Sequence, residues 1–333
     1  MIITRTPYRI SFFGGGTDYP AWYKENGGAV LSTAINKYCY ITCRYLPPFF
    51  EHKHRIVYSR HETVNKIDEI DHPSVRETMR FFNVNKGLEI HHDGDLPAMS
   101  GLGSSSAFTV GLINALNALK GTPKTKKETA MDAIHIEQNL IRENVGSQDQ
   151  TVASFGGFNR INFGGTREIS IKPILLSSAR LKSFQNHLML YFSGLSRNAS
   201  LIAEEQIKNI GNREIELKLM HELVNEGEAI LTNNKRGLDE FGKLLNEGWK
   251  IKKSLSSKIT NPYIDNVYEA GMQAGALGGK LLGAGGGGFV LFFAKPEIQE
   301  KIKRKLKKLL LVPFRFDYLG SRVIYTGNDF EKF

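Results

Sequence analysis

Cysteine is scarce in this chain of 333 residues. Only Cys39 and Cys43 are present, within an apolar stretch that is rich in β-branched residues. Side chains four positions apart in a β-strand point to the same face of the sheet. Two buried free thiols are therefore favoured over a metal or redox site, because no further ligand is near them in the sequence. A chain of this length needs no disulfides to stabilise its core, and so few cysteines indicate a reducing compartment.

Long hydrophobic runs are also lacking. No apolar run reaches the roughly 18 residues that a membrane-spanning helix requires. The first residues, MIITRTPYRISFF, lack the charged head, apolar core and cleavage site of a signal peptide. We therefore expect a cytoplasmic protein with no membrane partner. The chain has no internal repeat, and its length indicates about two domains.

Positive charge, in contrast, is plentiful, with a formal net charge of +10. Basic proteins are candidates for nucleic-acid binding, but here the charge is spread along the whole chain. The densest block, Lys301–Lys308, belongs to a segment whose periodicity predicts an amphipathic helix. Its apolar residues share one face: Ile298, Ile302, Leu306, Leu309 and Leu310. We interpret the lysines as the solvated face of that helix and expect no nucleic-acid partner. The positive balance equally suits a protein that binds several phosphates.

Two well-known phosphate-binding patterns, G-x-x-x-x-G-K-[ST] and G-x-G-x-x-G, do not describe the most distinctive turn of the chain. This turn lies in DLPAMSGLGSSSAFTVGLINAL, between a predicted strand that ends near His92 and a buried helix that begins near Ser104. We name it the Gly101 loop, residues Ser100–Ser106. Small residues let backbone N–H groups approach an anion, and a helix N-terminus adds unpaired donors. The pattern predicts an anion site, with a serine-capped tight turn as the alternative.

Two further segments are rich in glycine. LLGAGGGGFVLFF contains Gly285–Gly288 directly before an apolar strand, which favours close packing against a ligand or another loop over a flexible linker. RISFFGGGTDYP places Arg9 on a predicted strand and Asp18 after a turn of three glycines, Gly14–Gly16. A carboxylate there is a good acceptor for paired sugar hydroxyls, and a plain hairpin turn is the alternative.

Two acidic residues of the segment HIEQNLIRENVGSQDQTVASFGG, Glu137 and Asp149, are candidates for a functional role. Glu137 belongs to a predicted helix that begins with the capping-box pair Thr125 and Glu128. An acid on a helix is usually solvated, so Glu137 alone carries little information. Asp149 lies between the break at Gly146 and an apolar run, and we expect that setting to bury it in part.

These four segments together resemble the GHMP kinases, named for galactokinase, homoserine kinase, mevalonate kinase and phosphomevalonate kinase. Pro7–Asp18 is similar to the first motif, Pro97–Ser105 to the phosphate loop P-x-x-x-G-L-G-S-S, and Lys280–Phe289 to the third motif. Gly146–Gln150 supplies G-x-x-D-Q between them. The resemblance spans nearly the whole chain in the right order, which makes it far more specific than one glycine-rich segment.

The resemblance implies an ATP-dependent kinase with an α+β fold of two domains. Residues 1–180 would resemble domain 2 of ribosomal protein S5, and residues 181–333 a ferredoxin-like sandwich, with the active site in the cleft between them. Within the family, RISFFGGGTDYP, RYLPPFFEHKHRIVYS, DLPAMSGLGSSSAFTVG and VGSQDQ with FGGFNRI are similar to the D-glycero-D-manno-heptose 7-phosphate kinases. This implies phosphorylation of the anomeric hydroxyl of that sugar phosphate, on the route to nucleotide-activated heptose.

Two alternatives stay open at this point. Fucokinase-type kinases share the segment GG-x-TD, so a kinase for another sugar, such as fucose or galactose, fits the same motifs. A non-catalytic sugar-binding regulator on the same fold is the second alternative. Loss of the base or of the metal ligands would mark such a regulator, but Asp149 and Glu137 are both present.

The resemblance also implies residue roles. Asp149 would accept or orient the proton of the sugar hydroxyl, and Arg9 would stabilise the developing negative charge. Mg²⁺ would bind the Ser105 hydroxyl and the Glu137 carboxylate, since this cation prefers oxygen ligands. The ATP phosphates are expected at Pro97, Ser100, Gly101, Leu102, Gly103, Ser104, Ser105 and Ser106. The sugar phosphate is expected at Thr17, Asp18, Tyr19, Arg197, Gly285 and Gly286, with Arg197 near the 7-phosphate. A homodimer is left open.

Overall fold

The computed structural model describes residues 1–164, 169–194 and 199–327. Arg197, expected at the sugar phosphate, lies outside these residues. The strands are β1 (Ile2–Phe13), β2 (Gly28–Tyr45), β3 (His54–Val57), β4 (His61–Val64), β5 (Leu88–Gly94), β6 (Phe158–Phe163), β7 (Ile169–Pro173), β8 (Leu188–Phe192), β9 (Gly278–Leu281), β10 (Phe289–Phe293), β11 (Leu310–Leu311), β12 (Phe316–Asp317) and β13 (Arg322–Thr326). The helices are α1 (Pro20–Asn26), α2 (Pro73–Phe81), α3 (Ser104–Lys120), α4 (Lys126–His135), α5 (Gln148–Phe155), α6 (Ser178–Asn186), α7 (Ala199–Lys208), α8 (Glu214–Thr232), α9 (Asp239–Ser254), α10 (Pro262–Gln273) and α11 (Gln299–Lys305).

The first sheet is built around the long strand β2. β2 pairs antiparallel with β1 along most of its length, and also with β5, β6 and β12. The order along the main path is β13-β1-β2-β5-β3-β4. Buried residues occupy nearly every position of β1 after Thr6, as expected for a strand that is covered on both faces. The strand order therefore places β1, and with it Arg9, deep inside the molecule.

The second sheet has the order β11-β8-β10-β9, and all its pairings are antiparallel. Numbered along the chain, this is the order 4-1-3-2. Helices follow the first strand and separate the third from the fourth, so the unit has the β-α-β-β-α-β connectivity of a ferredoxin-like sandwich. The expected α+β fold with a ferredoxin-like second half is confirmed.

The two sheets share one continuous hydrophobic core. Phe12 of β1 packs edge-on against Phe184 of α6 and Phe241 of α9, with ring centroids 5.6 Å apart in each case. Phe293 of β10 and Phe316 of β12 join the same aromatic cluster. Burying several large aromatic side chains contributes strongly to stability. The halves are therefore packed against each other rather than joined by a loose linker.

The end of the chain returns to the first sheet. β13 pairs with β1, and β12 pairs with β2. The proposed division at residue 180 therefore does not describe sheet membership, because β12 and β13 belong to the sheet of the first half. These strands are short edge segments whose pairing depends on tertiary contacts rather than on local sequence.

Local signals define several helix ends. The expected buried helix is α3, which ends before Gly121 in the left-handed conformation with φ of 69°. The expected capping box is present at α4, where Thr125 and Glu128 exchange hydrogen bonds. The basic helix is shorter than its periodicity predicted, because α11 ends at Lys305 and Leu310 begins β11. Within the described ranges, none of the helices is both long enough and apolar enough to cross a bilayer.

Candidate active site

The Gly101 loop leads directly into α3. Gly101 and Gly103 have φ values of 83° and 76°, in the left-handed region that favours glycine. A Cβ atom on Gly101 would lie 2.5 Å from the Leu282 carbonyl oxygen. The first intrahelical bond runs from the Ala107 N–H to the Gly103 carbonyl, so the N–H groups of the preceding turn have no intrahelical acceptor. The loop and the first turn of α3 thus present backbone donors, as an anion site requires.

A second glycine-rich segment, residues Gly283–Gly288, packs directly against this loop. A Cβ atom on Gly283 would lie 2.4 Å from the Gly101 Cα, and one on Gly288 would lie 2.1 Å from the Ser100 carbonyl oxygen. Only glycine permits backbones to approach so closely. The glycine run of the third motif therefore fixes the position of the Gly101 loop.

Arg9 connects the Gly101 loop with Asp149, which lies in the first turn of α5. Its Nε donates to Asp149 Oδ1 at 2.6 Å and its Nη2 to Asp149 Oδ2 at 2.8 Å. Its Nη1 donates to the Gly101 carbonyl at 2.7 Å. Bidentate pairing of this kind fixes both charge and geometry. The structure thus brings together three residues that are distant in sequence, and it holds a carboxylate beside the Gly101 loop.

The acidic residue Asp18 lies next to this pair and is almost completely buried. Its Oδ1 accepts a hydrogen bond from the Gly16 N–H at 3.0 Å. A Cβ atom on Gly146 would lie 1.8 Å from its Oδ2, so the glycine break leaves room for this carboxylate. Burial, with a further contribution from Asp149, raises the pKa of Asp18 above its usual value.

Two polar atoms near Asp18 are buried and lack partners among the described residues: Ser11 Oγ and Gln148 Oε1. Both residues, like Tyr19, line a cavity of about 300 Å³ that also contains Arg9 and Asp149. Buried polar atoms are normally satisfied. These two therefore mark the cavity as a binding site for a polar ligand, and sequence reasoning missed both.

Glu137 lies on the other side of the first turn of α3. It occupies a single π-helical turn, Ile136–Leu140, a feature frequently found at functional sites. Its Oε2 accepts hydrogen bonds from Ser106 Oγ at 2.8 Å and from Gln150 Nε2 at 2.5 Å. Its Oε1 is buried and has no partner in the described part of the chain. Burial, with nearby Glu143 adding to the effect, raises the pKa of Glu137 to about 7, while Thr109, Ser106 and Gln150 act in the opposite direction.

The oxygen atoms of this region indicate whether it could bind Mg²⁺. A buried carboxylate oxygen without a partner and the hydroxyls of α3 are hard oxygen ligands, which suit that cation together with nucleotide phosphates. Ser106, rather than Ser105, contacts Glu137, while Ser105 is exposed at the cavity. Within the described residues, no group of three or more histidine, cysteine or acidic side chains forms a metal site by itself. The residues therefore fit a metal that is shared with the nucleotide.

Several expected site residues have supporting positions instead. The Thr17 hydroxyl is within hydrogen-bonding distance of the carbonyls of Gly14 and Ala29, at 2.8 and 2.9 Å. The Ser100 hydroxyl donates to the Pro97 carbonyl at 2.7 Å. The Leu102 carbonyl accepts from the Arg9 N–H. Two of the residues expected at the sugar phosphate, Gly285 and Gly286, pack against Ile259 and are not among the described residues that line the cavity.

Two lysines of the second half also line the cavity, and sequence reasoning assigned them no role. Lys252 of α9 and Lys280 of β9 are both buried, with 6% and 4% of their surface exposed. Lys252 follows Trp249 by three positions, on the buried face of an amphipathic helix. A lysine at an apolar position of such a helix is the signal that could have identified it, because buried lysines are rare unless paired.

Comparison with known proteins is consistent with this geometry. The chain matches the family descriptions "GHMP kinases N terminal domain" over residues 72–157 and "GHMP kinases C terminal" over residues 228–310. It is 29% identical over 319 residues to the D-glycero-alpha-D-manno-heptose 7-phosphate kinase of Campylobacter jejuni, which covers 92% of this chain and 93% of that protein. It is 26% identical to the L-fucokinase/L-fucose-1-P guanylyltransferase of Bacteroides fragilis over 91% of this chain, but spans only 35% of that longer protein.

A solved structure shows the same fold. The crystal structure of a D-glycero-D-manno-heptose 1-phosphate kinase from Bacteroides thetaiotaomicron superposes with a TM-score of 0.79. It shares 23% sequence identity and covers 98% of this chain and 100% of that chain. Both domains of one family match in order and together cover half of this chain. The chain therefore belongs to the GHMP kinase family.

Proposed function

We propose that this protein is an ATP-dependent sugar kinase that phosphorylates the anomeric hydroxyl of D-glycero-D-manno-heptose 7-phosphate. The observation that carries the proposal is the Arg9 guanidinium, which contacts both Asp149 and the Gly101 carbonyl. A carboxylate is thereby fixed beside a loop suited to nucleotide phosphates. The choice of sugar is supported by the heptose 7-phosphate kinase of Campylobacter jejuni, to which this chain is similar over nearly its whole length.

The nucleotide would bind at the Gly101 loop. Backbone N–H groups at the start of α3 and the positive end of its dipole would hold the ATP phosphates. Glu137, Ser105 and Ser106 would hold Mg²⁺, which supplies charge neutralisation to phosphoryl transfer. Gly283–Gly288 keeps the loop from moving away, because the two backbones are in direct contact.

The acceptor would bind on the Asp149 side of the cavity. A carboxylate offers about four lone-pair sites, so Asp149 can accept from Arg9 and still accept from an anomeric hydroxyl. It would orient that hydroxyl and take its proton as the new bond forms. Asp18, Ser11 and Gln148 would bind the other sugar hydroxyls, because their oxygen atoms are buried at the same cavity. An enzyme that consumes ATP in this way is expected in the cytoplasm.

The test is a substrate panel with Mg²⁺-ATP. The panel contains heptose 7-phosphate, the corresponding unphosphorylated heptose, fucose, galactose and mannose. We expect the highest kcat/KM for heptose 7-phosphate, with a product whose ³¹P spectrum shows an anomeric phosphate. Preference for fucose would favour the second candidate, which the similarity to the fucokinase of Bacteroides fragilis supports. Binding of a sugar without turnover of any panel member would instead indicate a regulator and contradict the proposal.

A further inference from the structure

We propose that Lys252 is a further catalytic residue, which contacts the phosphoryl group as it passes from the nucleotide to the acceptor. This inference rests on the proposed function. Lys252 is carried by α9, outside the three family motifs, yet its side chain reaches the cavity that contains Arg9, Asp149 and the Gly101 loop. Its ammonium group is therefore in the right place to meet a ligand bound there.

The position of the ammonium group is fixed from two sides. Lys252 Nζ donates a hydrogen bond to the Gly283 carbonyl, and Gly283 packs directly against Gly101. Gly101 in turn accepts from Arg9. An ammonium group has three donors, and in the described structure one of them is used by the protein. Lys252 thus lies beside the junction between the nucleotide loop and the Asp149 carboxylate, with donors left for a ligand.

The charges in the cavity favour this role for Lys252. Arg9 is paired with Asp149, so part of its charge is already balanced within the protein before a phosphate binds. Lys280 donates to the Phe12 carbonyl at 2.7 Å, and burial, followed by the nearby charges of Lys252 and Arg9, lowers its pKa well below the usual value. Lys252 is therefore the better placed of the two lysines to balance the transferred phosphoryl group.

The pKa of Lys252 provides a second, independent way to test this role. Burial, and next Arg9 on β1, lower the pKa of Lys252 to about 8, while Asp18 and Asp149 act in the opposite direction. Lys280 on β9 also faces it. Lys252 is thus mainly protonated at neutral pH, and its positive charge is lost as the pH rises through about 8.

Lys252 would assist the transfer of the γ-phosphoryl group from ATP to the acceptor hydroxyl. The acceptor oxygen forms a bond to the γ-phosphorus while the bond to the bridging oxygen breaks, and that electron pair leaves with ADP. The hydroxyl proton goes to Asp149. Lys252 keeps its own protons and donates hydrogen bonds to the oxygens of the phosphoryl group, where negative charge is concentrated during transfer.

The experiment compares Lys252→Met with Lys253→Met. Lys253 is the next residue of α9 and forms an ion pair with Asp265 at 3.5 Å, so it is a matched control for loss of one lysine. We expect Lys252→Met to lower kcat by about 100-fold, as loss of one transition-state donor does, with little change in the KM for ATP or sugar. Lys253→Met should retain wild-type kcat. A kcat for Lys252→Met close to wild type would overturn the inference, and so would a loss confined to the KM of the sugar phosphate.

Two further measurements keep the inference testable if the methionine variant folds poorly or if the acceptor is misassigned. The kcat/KM of the wild type, which reports the pKa values of the free enzyme, should fall above about pH 8, whereas Lys252→Arg should keep its activity to higher pH because a guanidinium stays charged. Identical alkaline profiles would contradict the inference.

Basal hydrolysis of ATP by water should also be slowed in Lys252→Met. If that happens while no sugar is phosphorylated by the wild type, the proposed acceptor is wrong and the inference holds.

Discussion

Two carboxylates border the first turn of α3, and their surroundings are opposite. Asp149 is partly exposed, and both of its oxygens accept hydrogen bonds from the Arg9 guanidinium. Glu137 is completely buried, its partners Ser106 and Gln150 are neutral, and one of its oxygens has no partner in the described chain. One acid has its counter-charge built into the protein, whereas the other does not.

This difference indicates two separate roles for the same chemical group. A carboxylate with a fixed guanidinium partner is held in one orientation, which suits a group that acts on an acceptor hydroxyl. A carboxylate without a cation is costly to ionise in the protein interior, so it is expected to receive a cation from outside. Environment rather than residue type thus separates the proposed base from the proposed metal ligand.

The largest effect is expected from Asp149→Asn. The amide keeps the size of the side chain but cannot accept the hydroxyl proton, so kcat should fall by about 10²- to 10⁴-fold. The Kd for ATP should stay near the wild-type value, because the Gly101 loop is unchanged. Steady-state kinetics and nucleotide-binding calorimetry measure the two quantities. Full activity in this variant would remove Asp149 from the mechanism.

A smaller effect on rate is expected from Glu137→Gln. The variant should need about 10- to 100-fold more Mg²⁺ to reach half of its maximal rate, since it loses a charged ligand. Titration of activity with Mg²⁺ at fixed ATP measures this shift. An unchanged Mg²⁺ requirement would contradict the proposed metal role of Glu137.

The stability of Glu137→Gln tests whether the Glu137 carboxylate lacks a counter-charge in the folded protein. The pKa of Glu137 is raised to about 7 by burial, above the 4.5 of a free side chain. The folded state therefore binds the proton more tightly, and stability should fall as the pH rises from about 4.5 to about 7. Glu137→Gln should remove this loss, at most about 3 kcal/mol at neutral pH without metal. Urea unfolding at several pH values, compared with wild type, provides the measurement. A variant that is less stable than wild type at pH 8 would argue against an unbalanced charge.

Gly103→Ala should disturb the surroundings of Asp149 and leave those of Glu137 unchanged. The new Cβ would lie 3.2 Å from both Asp149 Oδ2 and Arg9 Cγ, on a backbone with φ of 76°. We expect a loss of about 1–3 kcal/mol in stability and roughly tenfold in kcat, with an unchanged Mg²⁺ requirement. Gly121→Ala is the control, because its φ is 69° and a Cβ there would meet nothing within 4 Å. Equal kcat losses in both variants would show that backbone strain alone explains the effect.

The smallest effect is expected from Gln150→Met, which changes the surroundings of Glu137. Gln150 donates one of the two hydrogen bonds that orient Glu137 Oε2. Its loss should raise the Mg²⁺ concentration needed for half of the maximal rate by about tenfold, because a metal ligand that loses an orienting partner binds its metal more weakly. At saturating Mg²⁺ the rate should return close to that of wild type, which activity titrations can check. A lasting loss of kcat would place Gln150 on the acceptor side instead.

Local features of the fold and site could be predicted from sequence because short-range chemistry determines them. The glycines of the Gly101 loop, the apolar length of α3 and the Thr125 capping box all act within a few residues. The return of β12 and β13 to the first sheet could not be predicted in the same way, because two- and five-residue edge strands carry little signal and depend on distant partners.

Pairings within the site were harder to predict than its loops. Arg9 and Asp149 are 140 positions apart, and only the resemblance to the GHMP kinases linked them before the structure did. The lysine at position 252 was overlooked because it lies in a helix without a motif. The glycines at 285 and 286 were expected at the sugar, yet close packing against Ile259 already accounts for them.

The most direct test of the two-carboxylate account is a Mg²⁺ titration of the single-turnover rate for Asp149→Asn and Glu137→Gln side by side. We predict that raised Mg²⁺ restores most of the rate of Glu137→Gln and leaves Asp149→Asn at its low value. Recovery of Asp149→Asn at high Mg²⁺, with no response from Glu137→Gln, would contradict the account.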